Sequence, residues 1–278
     1  MVSLTAEGAI SAITTSRIEA SLALGRTRFG VVEASQDLCW SISGIPMASF
    51  NAVARCRLGA DPERQIDNLL GKFAERTMPF VWWVEGRQEN LEKLLREHGL
   101  VYDDQESPGM AIDLPSTLAD RGMKSAAIVE RITERDALRT WVETLLGSVE
   151  GTVGDATLER ATEVFTELSA DKASGWHFYL ARIAGRPAGT SALHLGAAAG
   201  LYSVGTLPSV RRRGVGTALS VRALADAQSA GYGVATLTAS ELGARLYGSL
   251  GFKEYCRYRE YVWRPSENLD GRGSSIQN

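Results

Sequence analysis

Between Gly200 and Ala227 the chain passes from an apolar stretch through Pro208-Ser209-Val210-Arg211-Arg212-Arg213-Gly214-Val215-Gly216-Thr217 into a segment with Val215, Ala218, Leu219, Ala223 and Ala227 on one helical face. Strand, glycine turn and helix follow one another without a spacer, which restricts the chain to layered arrangements of sheet and helix. The turn brings two glycines and three cations to a helix N-terminus, where unpaired backbone N–H groups coincide with the positive end of the helix dipole. That is a site for an anion, and a pyrophosphate suits it. The spacing is not the nucleotide loop G-x-x-x-x-G-K-[ST], and the segment lacks the first glycine and downstream acid of G-x-G-x-x-G.

The region around this segment is regular. Strands are predicted at 127–131, 176–184, 187–195, 200–207, 234–238 and 254–263, with helices after Thr133 as N-cap, at 157–169, and from Glu241 to Leu250 ended by Gly251. The first half reads as a helix over residues 1–26, a strand at 29–34 and a turn-rich stretch 42–50. A helix then starts at Asp61-Pro62 and carries Ile66, Leu69, Leu70 and Phe73 at helical spacing. An aromatic strand 80–84, a helix through Leu91, Leu94 and Leu95 to His98-Gly99, and a strand 109–114 complete it. Trp82 and Trp83 read as core. The polar stretch 115–125, broken by Pro and Gly, marks a boundary, so the expected units are 1–122 and 126–266, followed by a disordered polar tail 267–278. Pro187 to Val210 carries no charge and is long enough to span a bilayer, but its two prolines, four glycines and His194 favour two buried strands.

Charge and cysteine content narrow the function classes. The 278 residues carry a net charge of −3, with residues 1–125 at −4 and the remainder at +1. Neither half has the basic footprint of a nucleic-acid binder. Cys39, Cys56 and Cys256 form no C-x-x-C pair, which argues against a disulfide framework and a zinc site and for a reducing, cytoplasmic location. Glu7, Arg17 and Glu19 interrupt every apolar run near the start, so no export signal is read there.

Arg211, Gly214 and Gly216 match [QR]-x-x-G-x-[GA], the pyrophosphate loop of the GNAT acyltransferase superfamily. A second motif of that family, A-x-x-L-Y-x-x-x-G-F, resembles Gly243-Ala244-Arg245-Leu246-Tyr247-Gly248-Ser249-Leu250-Gly251-Phe252, with Gly243 in place of the alanine. Pro208 matches the proline that usually ends the family's fourth strand. The resemblance spans about residues 126–264 and implies an α/β (α+β) fold, a mixed, mostly antiparallel twisted sheet flanked by helices. It further implies an acyl-CoA-dependent N-acyltransferase, with acetyl-CoA or a related acyl-CoA as donor and an amine of a small molecule or protein as acceptor.

The residue roles it implies follow from acyl transfer, in which a thioester carbonyl is polarised, an amine deprotonated and a thiolate protonated. Backbone N–H groups of Gly205, Thr206 and Leu207 would bind the carbonyl. Arg211, Arg212, Arg213, Gly214, Val215, Gly216 and Thr217 would hold the pyrophosphate. Ser240 stands where many members place an asparagine against the pantetheine arm, and Tyr247 aligns with the family's general acid. Glu150 stands where members commonly contact the acceptor, against a reading as a loop acid; His194, a substrate-site candidate because histidine titrates near neutrality, could relay a proton from the acceptor amine, against a reading as a structural histidine. No metal is implied. Two other readings stay open: an aminoacyl-tRNA or carrier-bound acyl donor, and a CoA-binding scaffold without turnover.

Residues 94–100 align with 246–252 at an offset of 152, and the helix, strand, helix, Gly, strand order of 62–114 echoes that of the second half. Trp82-Trp83-Val84 and Pro108-Gly109-Met110-Ala111 are similar to the N-terminal halves of bacterial two-domain GNAT proteins. The first half thus reads as a GNAT-like unit without a cofactor site, since Leu95 replaces the tyrosine and the glycine loop is missing. An unrelated cap domain is the other reading.

Overall fold

The computed structural model describes residues 4–114, 125–149 and 153–265. Its helices are α1 (Ala6–Gly25), α2 (Pro62–Ala74), α3 (Glu89–Glu97), α4 (Arg135–Ser148), α5 (Asp155–Ala170), α6 (Val215–Ser229) and α7 (Glu241–Leu250). The strands are β1 (Val31–Ala34), β2 (Leu38–Ile42), β3 (Ala52–Cys56), β4 (Phe80–Glu85), β5 (Val101–Asp113), β6 (Ile128–Ile132), β7 (Trp176–Ile183), β8 (Arg186–Leu195), β9 (Ala199–Thr206), β10 (Val234–Thr238) and β11 (Lys253–Trp263). All eleven join one sheet in the order β1-β2-β3-β4-β11-β5-β10-β9-β8-β7-β6. The pairs β3/β4 and β9/β10 are parallel, and the rest are antiparallel.

The order is palindromic in kind. Reading inward from one edge, β3-β4 meets β11 and then β5; from the other, β9-β10 meets β5 and then β11. The last strand of each half therefore lies inside the sheet of the other, and the two halves close one another.

Alternation along the strands sorts the helices onto two faces. Met110 and Ile112 of β5, with Tyr179 and Ala181 of β7, pack under α6 and α7. Phe178 and Leu180, one residue out of phase, pack under α4 and α5. In the first half, Trp82 and Val84 meet α2 and α3, while Ala111 and Tyr258 meet α1 on the opposite face. α1 also reaches Cys39 and Ala54 through Ile18 and Leu22, and joins the α4/α5 layer through Ala20 and Ala23.

Several sequence expectations shift. β2 and β3 flank a turn-rich stretch that hid them, and that stretch is organised by Asn51, whose buried amide donates to the carbonyls of Ile45, Met47 and Pro79. β5 begins at Val101 rather than 109, extended by its long pairing with β11. Glu134, not Thr133, is the N-cap of α4, and its side chain makes no capping bond. Residues 115–122, Glu150 and the tail 267–278 lie outside the described residues.

Candidate acyl-CoA cleft

Two features of the sheet open a cleft at the end of β9. The parallel pairing of β9 with β10 stops at Gly200 and Thr236, although β9 continues to Thr206 and β10 to Thr238, so the strands part. β9 is also irregular: its register against β8 shifts between Tyr202 and Gly205, Ser203 adopts φ 50°, and the Thr190 hydroxyl donates to the Ser203 carbonyl at 3.0 Å. Beyond this bulge Gly205 and Thr206 pair again with Thr190 and Gly189 of β8, so it is the edge facing the parted β10 that lies open. Gly205 also lets α4 come close, because a Cβ there would collide with the Ser148 hydroxyl.

α6 starts beside this opening. Its N-cap is Gly214 at φ 76°, a left-handed conformation that glycine adopts without strain, and no side chain caps the helix. The first-turn N–H groups are thus left for a ligand. At Gly216 a Cβ would make only ordinary contacts, 3.5 Å to Leu246 and 3.7 Å to Thr206, so the fold does not demand glycine here; an approaching anion would. The pseudo-equivalent helix α2 differs in every respect. Asp61 caps it, its carboxylate accepting from the Arg64 N–H at 3.3 Å, Pro62 removes a donor, and Glu63 adds negative charge to the first turn. One helix terminus is left uncapped and the other is closed by its own acid.

The cleft between β9, α6 and α7 has a volume of about 650 Å³. It brings together Gly205, Thr206, Arg211, Arg212, Gly214, Val215, Gly216, Thr217, Ser240 and Tyr247 from the sequence-derived set. Leu207 and Arg213 are not among its lining residues: the Leu207 N–H donates to Ala188, and the Arg213 carbonyl accepts from Ser125. Arg211 donates from Nη2 to the Ser148 carbonyl at 2.8 Å and from Nε to the Thr206 carbonyl at 3.3 Å. It thereby ties the C-terminus of α4 to the end of β9. Ser240 is the N-cap of α7 and accepts from the Gly243 N–H at 3.1 Å. Tyr247 is buried against Phe252, and burial pushes its phenol well above the ordinary tyrosine range.

His194 stands elsewhere, paired with Gly200 at the far end of the β8/β9 hairpin, where it lines a separate polar pocket with Glu19, Arg26 and Asp171. Burial holds its imidazole down to about 4. The lining residues outside the sequence-derived set include Val149 and Leu242, both apolar and more than 60% exposed at the cleft mouth. Isolated apolar residues at a loop and a helix start carry no pattern to single them out.

A family model for the acetyltransferase (GNAT) domain matches residues 174–254, the stretch that holds β7 to β10, the glycine turn and Tyr247. Residues 174–254 are a GNAT domain. No curated protein matches the chain. Among solved structures, a GCN5-related N-acetyltransferase from Kribbella flavida is similar over 92% of this chain and 97% of its own, with 18% identity and a TM-score of 0.63. A tandem GNAT protein from the clavulanic acid biosynthesis pathway aligns over 92% and 95% at 13% identity and a TM-score of 0.58. A protein assigned to the GNAT family from Novosphingobium aromaticivorans aligns over 91% and 99% at 19% identity and a TM-score of 0.54. At these identities the likeness is one of fold, and it extends over both halves. Among the described residues no helix is long and apolar enough to cross a membrane.

Proposed function

We propose that the chain is an acyl-CoA-dependent N-acyltransferase, with acetyl-CoA as donor and an amine as acceptor. The observation that carries this reading is the contrast between α6, glycine-capped and open beside a 650 Å³ cleft, and α2, closed by Asp61, Pro62 and Glu63. In this reading the main-chain N–H groups of Val215, Gly216 and Thr217 hold the pyrophosphate, and Arg212 adds charge. Arg211 acts as a positioning residue, since its guanidinium is engaged by backbone carbonyls. Ser240 caps α7 beside the pantetheine path. The two halves are then GNAT-like units, 1–122 without a cofactor site and 126–266 active.

The chemistry needs little more from the protein. N–H groups on the edge of β9 that faces the parted β10, around Gly205 and Thr206, polarise the thioester carbonyl. The acceptor nitrogen forms the C–N bond, the C–S bond breaks, the amine gives up a proton to water, and the thiolate takes one. Direct attack suits a cleft with no cysteine on its walls, and burial drives the Cys56 thiol up to about 12, outside nucleophilic use. Calorimetric titration with acetyl-CoA tests the reading, with a Gly216→Val variant beside the wild type. The expected result is one site of micromolar affinity that the variant loses while its thermal stability holds; normal binding by the variant removes the loop from the site.

A further inference from the structure

A second cavity, of about 320 Å³, lies on the α1/α4/α5 face directly behind the cleft. The two share Val149, and Ser203 of the second precedes Val204 of the first. Its walls are apolar, formed by Leu24, Phe50, Trp83, Phe165 and Trp176 among others. Among the described residues Arg17 is the one charged residue lining it.

Arg17 is out of place as a purely structural side chain. It is 8% exposed, and its guanidinium lies between the Trp83 and Tyr258 rings at 4.9 and 4.4 Å. Nη2 donates to the Ala54 carbonyl at 3.2 Å, whereas Nε and Nη1 are buried without a hydrogen-bond partner among the described residues. Arg17 makes no ion pair within 4 Å among the described residues, and Glu260, which accepts from Ser107, feels its charge only at longer range. Two aromatic faces offset part of the desolvation of a buried cation, but not its unmet donors.

We infer that this cavity receives the acyl acceptor, and that the acceptor is an amine carrying an apolar body and a carboxylate, the carboxylate pairing with Arg17. The inference rests on the acyltransferase reading for the direction of the amine, which would point past Ser203 to the parted strands. A planar carboxylate matches the planar edge of a stacked guanidinium. A plain amine would bring a second positive charge into a cavity with no acid among its described lining residues, and a phosphate ester would bring two negative charges to a single cation. A zwitterion balances the site, and the apolar walls take its body.

The test uses two pairs of acceptors: L-phenylalanine with phenethylamine, and para-aminomethylbenzoate with benzylamine. Thiol release from acetyl-CoA gives kcat and KM, and calorimetry gives binding of each amine alone. At least one carboxylate-bearing amine should be preferred over its partner by about 10- to 100-fold in KM, the scale of a charged hydrogen-bonded pair. Arg17→Met should erase that preference and leave acetyl-CoA affinity unchanged. Should Arg17→Met fail to fold, the wild-type preference and an Arg17→Lys variant decide, the lysine retaining charge but losing the planar fork. Equal use of both members of each pair, or no binding of either acid by a protein that binds acetyl-CoA, overturns the inference and leaves the acyltransferase reading intact. Absence of acetyl-CoA binding sinks that reading instead, and carboxylate-selective binding in the calorimeter then still decides for or against Arg17.

Discussion

Tyr247 is the residue on which the family likeness and the environment pull in different directions. A thiol of ordinary acidity has a pKa near 8.5, so a phenol raised by burial does not hand its proton downhill to a departing thiolate. In the proposed reaction its contribution would be a hydrogen bond to sulfur while the C–S bond breaks, with water completing the transfer. Tyr247→Phe is expected to lower kcat by about 10- to 1,000-fold and leave acetyl-CoA affinity near normal. The wild-type kcat profile should show no descending limb near pH 10, and a limb there that the variant abolishes returns the residue to full acid catalysis. His194 makes a different prediction, on stability. Its folded pKa of about 4 lies below the ordinary 6.5, so between those values the unfolded chain binds the extra proton; the contribution is complete above pH 6.5 and lost as pH falls toward 4. Denaturant unfolding at pH 7 and 5 should differ by about 2 kcal/mol from this group, and His194→Leu should remove that part. Sequence singled out Arg211, Gly214, Gly216 and Tyr247 because they stand in two short motifs that resemble those of a known family. Arg17 was hidden, since its meaning depends on Trp83 and Tyr258, brought to it by strands from opposite ends of the chain.

At the scale of elements, the cap positions separate ligand from scaffold. Asp61→Ala should cost about 1 kcal/mol through loss of the α2 cap and leave acetyl-CoA affinity untouched. Ser240→Ala should cost a similar amount at α7, measured by denaturant midpoint, and a weakening of acetyl-CoA binding beyond about threefold would mean that its hydroxyl also serves the pantetheine arm. Helix ends were legible for the same reason that these tests are available: Asp61-Pro62 and Gly251 act within one turn of themselves. β2 and β3 were not, because each has five residues and their pairing carries a register shift between Cys39 and Trp40 that interrupts alternation. The length of β5 was also beyond local pattern, as Val101 to Ser107 is strand by virtue of β11 alongside it.

At the scale of the molecule, the internal repeat at offset 152 was visible, but the exchange of β5 and β11 was not, since either strand would complete either half by composition alone. The exchange predicts a single cooperative unfolding transition for the whole chain. Residues 4–114 and 125–265 made separately should each remain unfolded by circular dichroism and recover structure when mixed; independent folding of either would show that its borrowed strand is dispensable. The same exchange sets a timetable for synthesis. A chain emerging from the ribosome presents β4 and β5 early, with an unfilled seat between them for a strand that does not yet exist. Until residues 253–263 are made, the first half exposes two strand edges and the Trp82 side of its core, the surfaces on which nascent chains stick to one another. The first half is thus expected to complete its sheet only after residues 253–263 have been made.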